Sequence, residues 1–474
     1  MTPIESEFNV IHRPDQFRST EVRTAAAHPQ ERSTRQWWST VTANAGILGA
    51  FGALILSGHL LVQPLVETGR IKIPYPPLDG RLDWRPARQL VFAAIIAGVV
   101  AVWGPRWARR LSWRHLLMAS VVAAGLWAVA LAALDGTAGL VGSVRLRTEY
   151  WGAATVIDAP FSYLDGFVAN IRAYPVHVQG HPPGYVLLLW ALHQLGVTAA
   201  GVATTQILGG AFGVAAVLVA VREVAGEDRA RDAAPFLVLA PVAIWVATSA
   251  DAFYAGVSGW AVALVILATG NVGRRADLYA VVGGVLLGIA FFFSYGLVLI
   301  ALIPFCVAWR RRRFRPIVIA ALAVAGVAVV FAASGFWWFS GLMATRERYF
   351  AGVASRRPYP RFFVMNLAAF AITLGPAQAV ALVRLRDRGL WTLVGGALLV
   401  VVVANISGMS KGEVERIWLP FALWVLPAGA VLATRLGTAA EALRATPVWS
   451  NTTRWLLLQG VFTIVVQAMV WSPW

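Results

Sequence analysis

A polar segment between hydrophobic stretches carries the residues best suited to chemistry. Residues 163–185 contain His177, Gln179 and His181, followed by two prolines. Proline is favoured in the first turn of a helix, because its missing N–H would have no helical partner there. This explains the prolines but not the polar side chains beside them. We therefore predict that His181 and its neighbours line a functional site.

Acidic residues are few, which makes those at the ends of hydrophobic stretches informative. Asp135 and Asp251 each stand at such an end, and we expect both to project toward one outer face. A positioned carboxylate can act as a general base. For Asp158 and Asp165, helix capping or contact with water is the simpler interpretation. The candidate catalytic residues are Asp135, Asp165, His181 and Asp251.

Two basic segments could bind a phosphate group. Arg346 and Arg348 belong to an arginine-rich loop at 337–361, and Lys411 and Arg416 belong to a highly charged turn. The arginine side chain offers a two-pronged fork that matches phosphoryl oxygens. The alternatives are that the loop contacts anionic lipid headgroups and that the turn is merely held by salt bridges.

The composition indicates a membrane protein. Of the 474 residues, 58% are hydrophobic and only 13% are charged, and the mean hydropathy is +0.66. Lipid must be the solvent for so much apolar surface. The net charge of +17 comes from basic residues in short loops, as the positive-inside rule expects. No nucleic-acid motif is visible, and the single cysteine, Cys306, excludes an intramolecular disulfide.

Hydrophobic runs predict an all-α, polytopic helical bundle of about thirteen spans. Alternation from a cytoplasmic N-terminus places the basic loops inside, and residues 184–199 are expected to lie at the outer interface because they are too short to cross. The predicted outer regions are 63–88, 135–201, 337–361 and 408–416. The predicted spans are 41–62, 89–103, 115–134, 202–221, 235–250, 253–270, 278–294, 296–309, 316–336, 362–383, 391–407, 417–435 and 455–472.

The same pattern predicts four regions along the chain. Residues 1–36 are polar and predict a disordered cytoplasmic tail, and 37–114 carry two N-terminal spans. Residues 115–310 form the predicted catalytic core. Residues 311–474 form a C-terminal membrane region with basic outer loops.

The chain lacks the residues that several classes of protein need for their function. The chain has no glycine-rich nucleotide-binding loop, no zinc-type Cys/His spacing and no serine nucleophile motif. The predicted spans hold almost no ionisable groups, which disfavours a proton-coupled transporter. A transporter or flippase of lipid-linked glycans and a scaffold for cell-envelope assembly remain as alternatives to an enzyme.

The order of these motifs resembles the GT-C superfamily of integral-membrane glycosyltransferases. Asp135 at the end of the third span matches the first acidic position of that family, and Asp251 matches the second. His181-Pro-Pro183 matches its interfacial helix, and Arg222–Arg229 matches its charged cytoplasmic span end. The match covers about 115–310. The amino-acid sequence of 163–190 and 408–420 is most similar to that of actinobacterial membrane proteins of this type.

Two departures from the family pattern are visible. Two spans precede the usual first one. Phe293-Ser-Tyr-Gly296 stands where the family often has a lysine, so another basic residue must meet the donor phosphate.

The resemblance implies transfer of a sugar from a polyprenyl-phosphate donor to a hydroxyl of a glycan, lipid or protein, with inversion, at the outer face of the plasma membrane. It implies Asp135 as the base and His181 and Asp251 as supporting groups. Lys411, Arg416, Arg346 and Arg348 are the candidates for binding the donor phosphate. A divalent cation is compatible with two carboxylates on separate loops, and the residues leave its presence open.

Overall fold

The structure, a computed structural model, describes residues 29–247, 249–434 and 450–472. The chain divides into two units, Met1–Gly46 and Ile47–Trp474, and the site lies in the second. Residues 1–28, most of the predicted disordered tail, are outside the described residues. The first helix begins at Pro29, inside the range predicted for that tail.

Helices account for almost all regular structure in the described ranges. In chain order they are α1 (Pro29–Glu67), α2 (Leu90–Arg110), α3 (Trp113–Ala132), α4 (Tyr150–Ala154), α5 (Pro160–Gly166), α6 (Val176–Gln179), α7 (Gly184–Gln194), α8 (Ala199–Ala225), α9 (Glu227–Val238), α10 (Ala250–Gly270), α11 (Gly273–Phe291), α12 (Leu302–Arg311), α13 (Arg315–Ala333), α14 (Trp338–Ala351), α15 (Tyr359–Leu374), α16 (Pro376–Arg384), α17 (Arg388–Ser407), α18 (Val414–Ile417), α19 (Leu419–Val425) and α20 (Asn451–Met469). Strands β1 (Arg81–Leu82) and β2 (Val470–Trp471) pair antiparallel.

The prediction of an all-α membrane protein is confirmed. Seven helices in the described ranges are long and apolar enough to cross a membrane, and α15 with α16, bent by 96°, makes an eighth if the pair is one span. Other predicted spans coincide with broken helices. Residues 296–309 cover a 3₁₀ turn followed by α12, and 417–435 cover α19 followed by another 3₁₀ turn. The count of about thirteen spans stays a prediction.

Helix α10 lies at the centre of the bundle and carries Asp251 in its first turn. In its most apolar window, 72% of the residues are buried. It packs so closely on α8 that a Cβ added to Gly256 would lie only 2.3 Å from the Gly209 carbonyl oxygen. Small residues of this kind let membrane helices approach at backbone distance. The first turn of α10 is thereby held in a fixed place.

The four predicted outer regions meet at one end of the bundle, called here the site face. Contacts between them are Asp79 with Glu415, Arg416 with His177, Thr345 with Gln179, and Arg357 with Lys411. The short helix α7 also lies at this end, where the Gly184 N–H donates to the Phe292 carbonyl at 2.9 Å.

The basic loops predicted to be cytoplasmic are tied together at the other end. Their contacts are Arg109 with Asp232, Arg229 with Asp387, and Arg311 with Glu223. The described contacts therefore place the candidate catalytic and phosphate-binding residues away from this basic end.

Candidate active site

Arg416 is the centre of a buried polar cluster at the site face. It belongs to α18 and is only 2% exposed. Its Nη1 donates to Asp251 Oδ2 at 3.0 Å, and its Nη2 donates to His177 Nδ1 at 3.2 Å. Glu413 Oε2 lies 3.7 Å from Nη2. One guanidinium thus joins α18, α10 and α6.

Local structure fixes the two partners of Arg416. Asp251 follows the N-cap residue of α10, Ser249, whose hydroxyl oxygen accepts from the Asp251 N–H at 3.2 Å. An acidic residue in the first turn of a helix is stabilised by the helix dipole. His177 is held through its own N–H, which donates to the Thr148 carbonyl at 3.1 Å.

His177 links Arg416 to a further carboxylate, Glu149. Because a guanidinium can only donate, His177 Nδ1 must accept, and its proton resides on Nε2. That nitrogen lies 3.5 Å from Glu149 Oε1. Burial, followed by the charge of Arg416, lowers the pKa of His177 well below its ordinary value, so the imidazole is neutral. We call Glu149, His177, Asp251 and Arg416 the arginine cluster.

The pKa of Glu149 lies close to neutral pH. Burial raises its pKa to about 7, although the positive charge of Arg416 opposes this shift. For Arg416, burial lowers the pKa, but the carboxylates of Asp251 and Glu149 raise it more. The guanidinium therefore stays charged, while Glu149 titrates close to neutrality.

His181 lies beside this cluster in an aromatic surround. Its Nδ1 is 2.8 Å from the His177 carbonyl oxygen, and its ring meets Tyr150 edge-on at 5.6 Å. Tyr185 packs edge-on against Tyr150 at 5.1 Å. Burial lowers the pKa of His181. A neutral His181 therefore shapes the floor of the site and adds no charge to it.

A cavity of about 60 Å³ lies beside Asp251. Much of its wall is apolar, contributed by residues of α17, α19 and the break after α11. A few polar side chains point into the same space. The residues that line it include Asp251, Tyr254, Ser294, Leu297, Ser407, Ser410, Ile417, Trp418 and Phe421. An apolar wall with a few polar groups is the pattern found at ligand sites.

Lys411 lies near the arginine cluster, but its side chain contacts residues outside that cluster. Its Nζ donates to the Ala354 carbonyl at 3.1 Å and sits 5.7 Å from the centre of the Phe350 ring. Arg357 donates to the Lys411 carbonyl and lies 3.6 Å from Glu413. Burial, and then the charge of Arg357, lowers the pKa of Lys411.

The remaining predicted site residues have other partners. Asp135 forms a salt bridge with Arg85. Asp165 packs against the turn at Gly335. Arg346 is exposed and stacks over the Phe350 ring at 5.2 Å. For Arg348, burial and the nearby charge of Arg172 lower the pKa. The structure therefore brings together His181, Asp251 and Arg416 and leaves the other predicted residues in separate contacts.

Sequence reasoning did not single out Glu149 as a site residue. A signal was available, because Glu149 is a lone acid directly before Tyr150 and Trp151 in the loop that also holds the histidines. Its part in the site depends on burial beside His177, which the sequence pattern does not reveal.

In the described residues, no group of three or more His, Cys, Asp or Glu side chains is arranged to hold a metal ion. Arg416 occupies the space between Asp251 and His177.

Comparison with known proteins finds no matching family model and no significant match to a curated protein. Solved structures that are similar at low identity include the following two. ArnT from Cupriavidus metallidurans in the apo state is 13% identical over 70% of this chain and 77% of its own, with a TM-score of 0.39. An oligosaccharyltransferase from Archaeoglobus fulgidus, in complex with Zn and sulfate, is 14% identical over 72% of this chain, with a TM-score of 0.40. This chain covers 53% of that second protein.

Proposed function

We propose that the protein is a membrane glycosyltransferase of the GT-C type. It transfers a sugar from a polyprenyl-phosphate donor to a hydroxyl of a glycan, lipid or protein at the outer face of the plasma membrane. The observation that carries this proposal is the buried Asp251–Arg416 pair beside a cavity with an apolar wall. The order of the loop motifs around it supports the same assignment.

The cavity and the buried charge behind it together suit the two parts of such a donor. Its apolar residues, such as Leu297 and Phe421, suit the first part of a polyprenyl chain. Arg416, whose guanidinium donates to Asp251 and His177, lies directly behind Asp251 and supplies a positive charge that attracts the phosphate. Because Arg416 is buried, its charge acts at low dielectric and is worth more than at a protein surface.

The reaction follows from these two side chains. The acceptor oxygen attacks C1 of the sugar while the bond between C1 and the phosphate oxygen breaks. Asp251 takes the acceptor proton as general base. Negative charge grows on the departing polyprenyl phosphate, and Arg416 stabilises it. A single displacement of this kind inverts the configuration at C1.

The other members of the cluster position Arg416. Neutral His177 accepts one N–H of the guanidinium and passes its own N–H toward Glu149. This series of contacts keeps the Arg416 guanidinium aligned without adding a second positive charge to the cluster. His181 and the surrounding tyrosines hold the backbone of α6 and close the site from behind.

The role of Asp135 as base stays a prediction, and the geometry favours Asp251 for that role. The Asp135 carboxylate is already paired with Arg85, whose Nη2 also donates to the carbonyls of Gln467 and Val470. Asp251, in contrast, lines the cavity.

The proposal is tested by sugar transfer in proteoliposomes. Purified protein would be given labelled polyprenyl-phosphate sugars, with nucleotide sugars as the control donors. We expect transfer from a lipid-linked donor and none from a nucleotide sugar. Movement of the intact lipid-linked sugar across sealed vesicles, without transfer, would instead show a flippase.

A further inference from the structure

Tyr254 brings a phenol group to the same cavity as Asp251. Both residues belong to α10 and both line the cavity. They stand three positions apart, and side chains at this spacing lie on the same face of a helix. A ligand that enters the cavity and meets Asp251 therefore also meets Tyr254.

The Tyr254 hydroxyl is buried without a hydrogen bond. The residue is 0% exposed, and within the described part of the chain its hydroxyl oxygen has no hydrogen-bond partner. Buried polar groups in proteins are nearly always hydrogen-bonded, because an unpaired one destabilises the fold. An unpaired hydroxyl on the wall of a cavity is accounted for if a ligand supplies the partner.

The neighbouring phenol, Tyr150, does not remove this deficit. Tyr150 is also buried, and its hydroxyl likewise has no partner among the described residues. Each phenol has a single proton to donate. A contact between the two hydroxyl groups would use one of these protons and leave the other without an acceptor. The pair therefore has at least one donor to offer to a ligand.

Aromatic packing, and not the hydroxyl, holds the Tyr254 ring in place. The ring stacks on Phe293 at 5.6 Å and meets Tyr185 edge-on at 5.0 Å. A phenylalanine ring would make both contacts equally well. Tyr185 differs, because its hydroxyl accepts from Gln206 Nε2 at 2.9 Å. The hydroxyl of Tyr185 thus has a structural partner, whereas that of Tyr254 has none in the described residues.

We propose that the Tyr254 hydroxyl binds the substrate, by donating a hydrogen bond to a sugar hydroxyl beside the group that Asp251 deprotonates. The cavity of about 60 Å³ has room for such a group, since one water needs only about 10–15 Å³. The hydroxyl belongs to the donor sugar or to the acceptor, which offer the same chemistry. This inference rests on the proposed function, which supplies the sugar.

Thermal unfolding of the purified full-length protein without substrate tests whether the hydroxyl is unpaired. Tyr254→Phe removes a buried group that has no partner, so we expect its melting temperature to equal or exceed that of the wild type. Tyr185→Phe removes the acceptor of Gln206 and should melt at a lower temperature. A decrease in Tyr254→Phe as large as that in Tyr185→Phe would show a bonded hydroxyl and overturn the inference.

Transfer kinetics in proteoliposomes test the contact with substrate. With the polyprenyl-phosphate sugar that supports transfer, we expect kcat/KM to fall roughly tenfold in Tyr254→Phe, as for loss of one neutral hydrogen bond. Tyr163→Phe is the matched control. The Tyr163 hydroxyl is also buried without a partner in the described residues, but Tyr163 packs on Phe167 and is not among the residues that line the cavity. It should keep the wild-type value.

Monodeoxy derivatives of the same donor identify the source of the hydroxyl. If the donor sugar carries it, one derivative should react more slowly with the wild type but lose nothing further in Tyr254→Phe, as expected for two partners of one hydrogen bond. An equal additional loss with every derivative, at an undiminished melting temperature, would place the hydroxyl on the acceptor.

Two negative results are distinguishable. Transfer by the wild type with an unchanged kcat/KM in Tyr254→Phe would reject the substrate contact and leave the proposed function standing. Absence of transfer by the wild type from every donor would reject the proposed function, and the sugar contact with it.

Discussion

Two acid–arginine pairs lie in regions predicted to be outside. They contain the same chemical groups but differ in burial and in their further contacts. The side chains of Asp135 and Arg85 are 26% and 16% exposed, and Arg85 also donates to two carbonyls near the C-terminal end of the described chain. Those of Asp251 and Arg416 are 4% and 3% exposed. Arg416 meets a histidine, and its partner lines a cavity.

The comparison shows why position at a helix end is not enough to identify a catalytic acid. Arg85 uses its remaining donors on backbone carbonyls, so that pair ties segment 68–89 to α20 and β2. Arg416 uses its Nη2 on a side chain, His177, whose other ring nitrogen lies beside Glu149. We interpret the first pair as structural and the second as chemical.

The largest effect is expected from Arg416→Lys. Lysine keeps the positive charge between the buried carboxylates but loses the two-pronged fork. We expect sugar transfer to fall by about 10²–10³-fold, as for loss of one oriented donor to a developing anion. Arg348→Lys is the control, since Arg348 lies outside the arginine cluster, and it should retain most activity. Equal losses in both variants would argue against the special role of Arg416.

A pH-dependent gain in stability is expected from Glu149→Gln. The pKa of Glu149 is raised to about 7, so the stability of the wild type falls as the pH rises from about 4.5 through about 7. Glutamine removes this loss, which amounts to about 3 kcal/mol at most. Thermal unfolding should therefore show the variant gaining on the wild type between about pH 5 and about pH 8.

The exposed Glu347→Gln supplies the control for that measurement and should track the wild type across the range. A Glu149→Gln variant that loses ground to the wild type with rising pH would show that Glu149 is ionised in the folded protein.

A smaller effect is expected from Asp135→Asn. Removing a partly exposed ion pair should lower the free energy of unfolding by about 1 kcal/mol, measured by thermal unfolding at neutral pH. Asp83→Asn, which breaks a more exposed pair with Arg81, should cost less. The reverse order would mean that the Asp135–Arg85 pair does not hold this corner together.

The smallest effect is expected from Arg346→Gln. Arg346 is exposed and stacks on Phe350, and surface substitutions usually change free energies by under about 0.5 kcal/mol. The rate of sugar transfer should stay within about twofold of the wild type. A much larger loss would return the arginine-rich loop to consideration as the donor phosphate site.

Much of the helical framework could be predicted from the sequence, because apolar length and charged boundaries are local properties. The breaks in the predicted membrane helices could not be predicted from the sequence. The 96° bend between α15 and α16 and the 3₁₀ turn before α12 depend on packing against other helices. Hydropathy therefore locates the apolar segments but does not show how each one crosses.

The site could be predicted only where its residues were rare for their surroundings. His181, Asp251 and Arg416 stood out as polar groups beside hydrophobic helices, and the structure brings them together. Glu149 did not stand out, because its importance comes from burial. The pairing of Asp135 with Arg85, 50 residues earlier, was equally invisible to sequence patterns.

The most direct test compares the initial rates of sugar transfer of Asp251→Asn and Asp135→Asn in membranes with equal expression. Loss of a general base costs about 10²–10⁴-fold. We predict a loss of that size in Asp251→Asn and a rate within a few fold of the wild type in Asp135→Asn. Collapse in Asp135→Asn with activity retained in Asp251→Asn would contradict the account and place the base at the first acidic position.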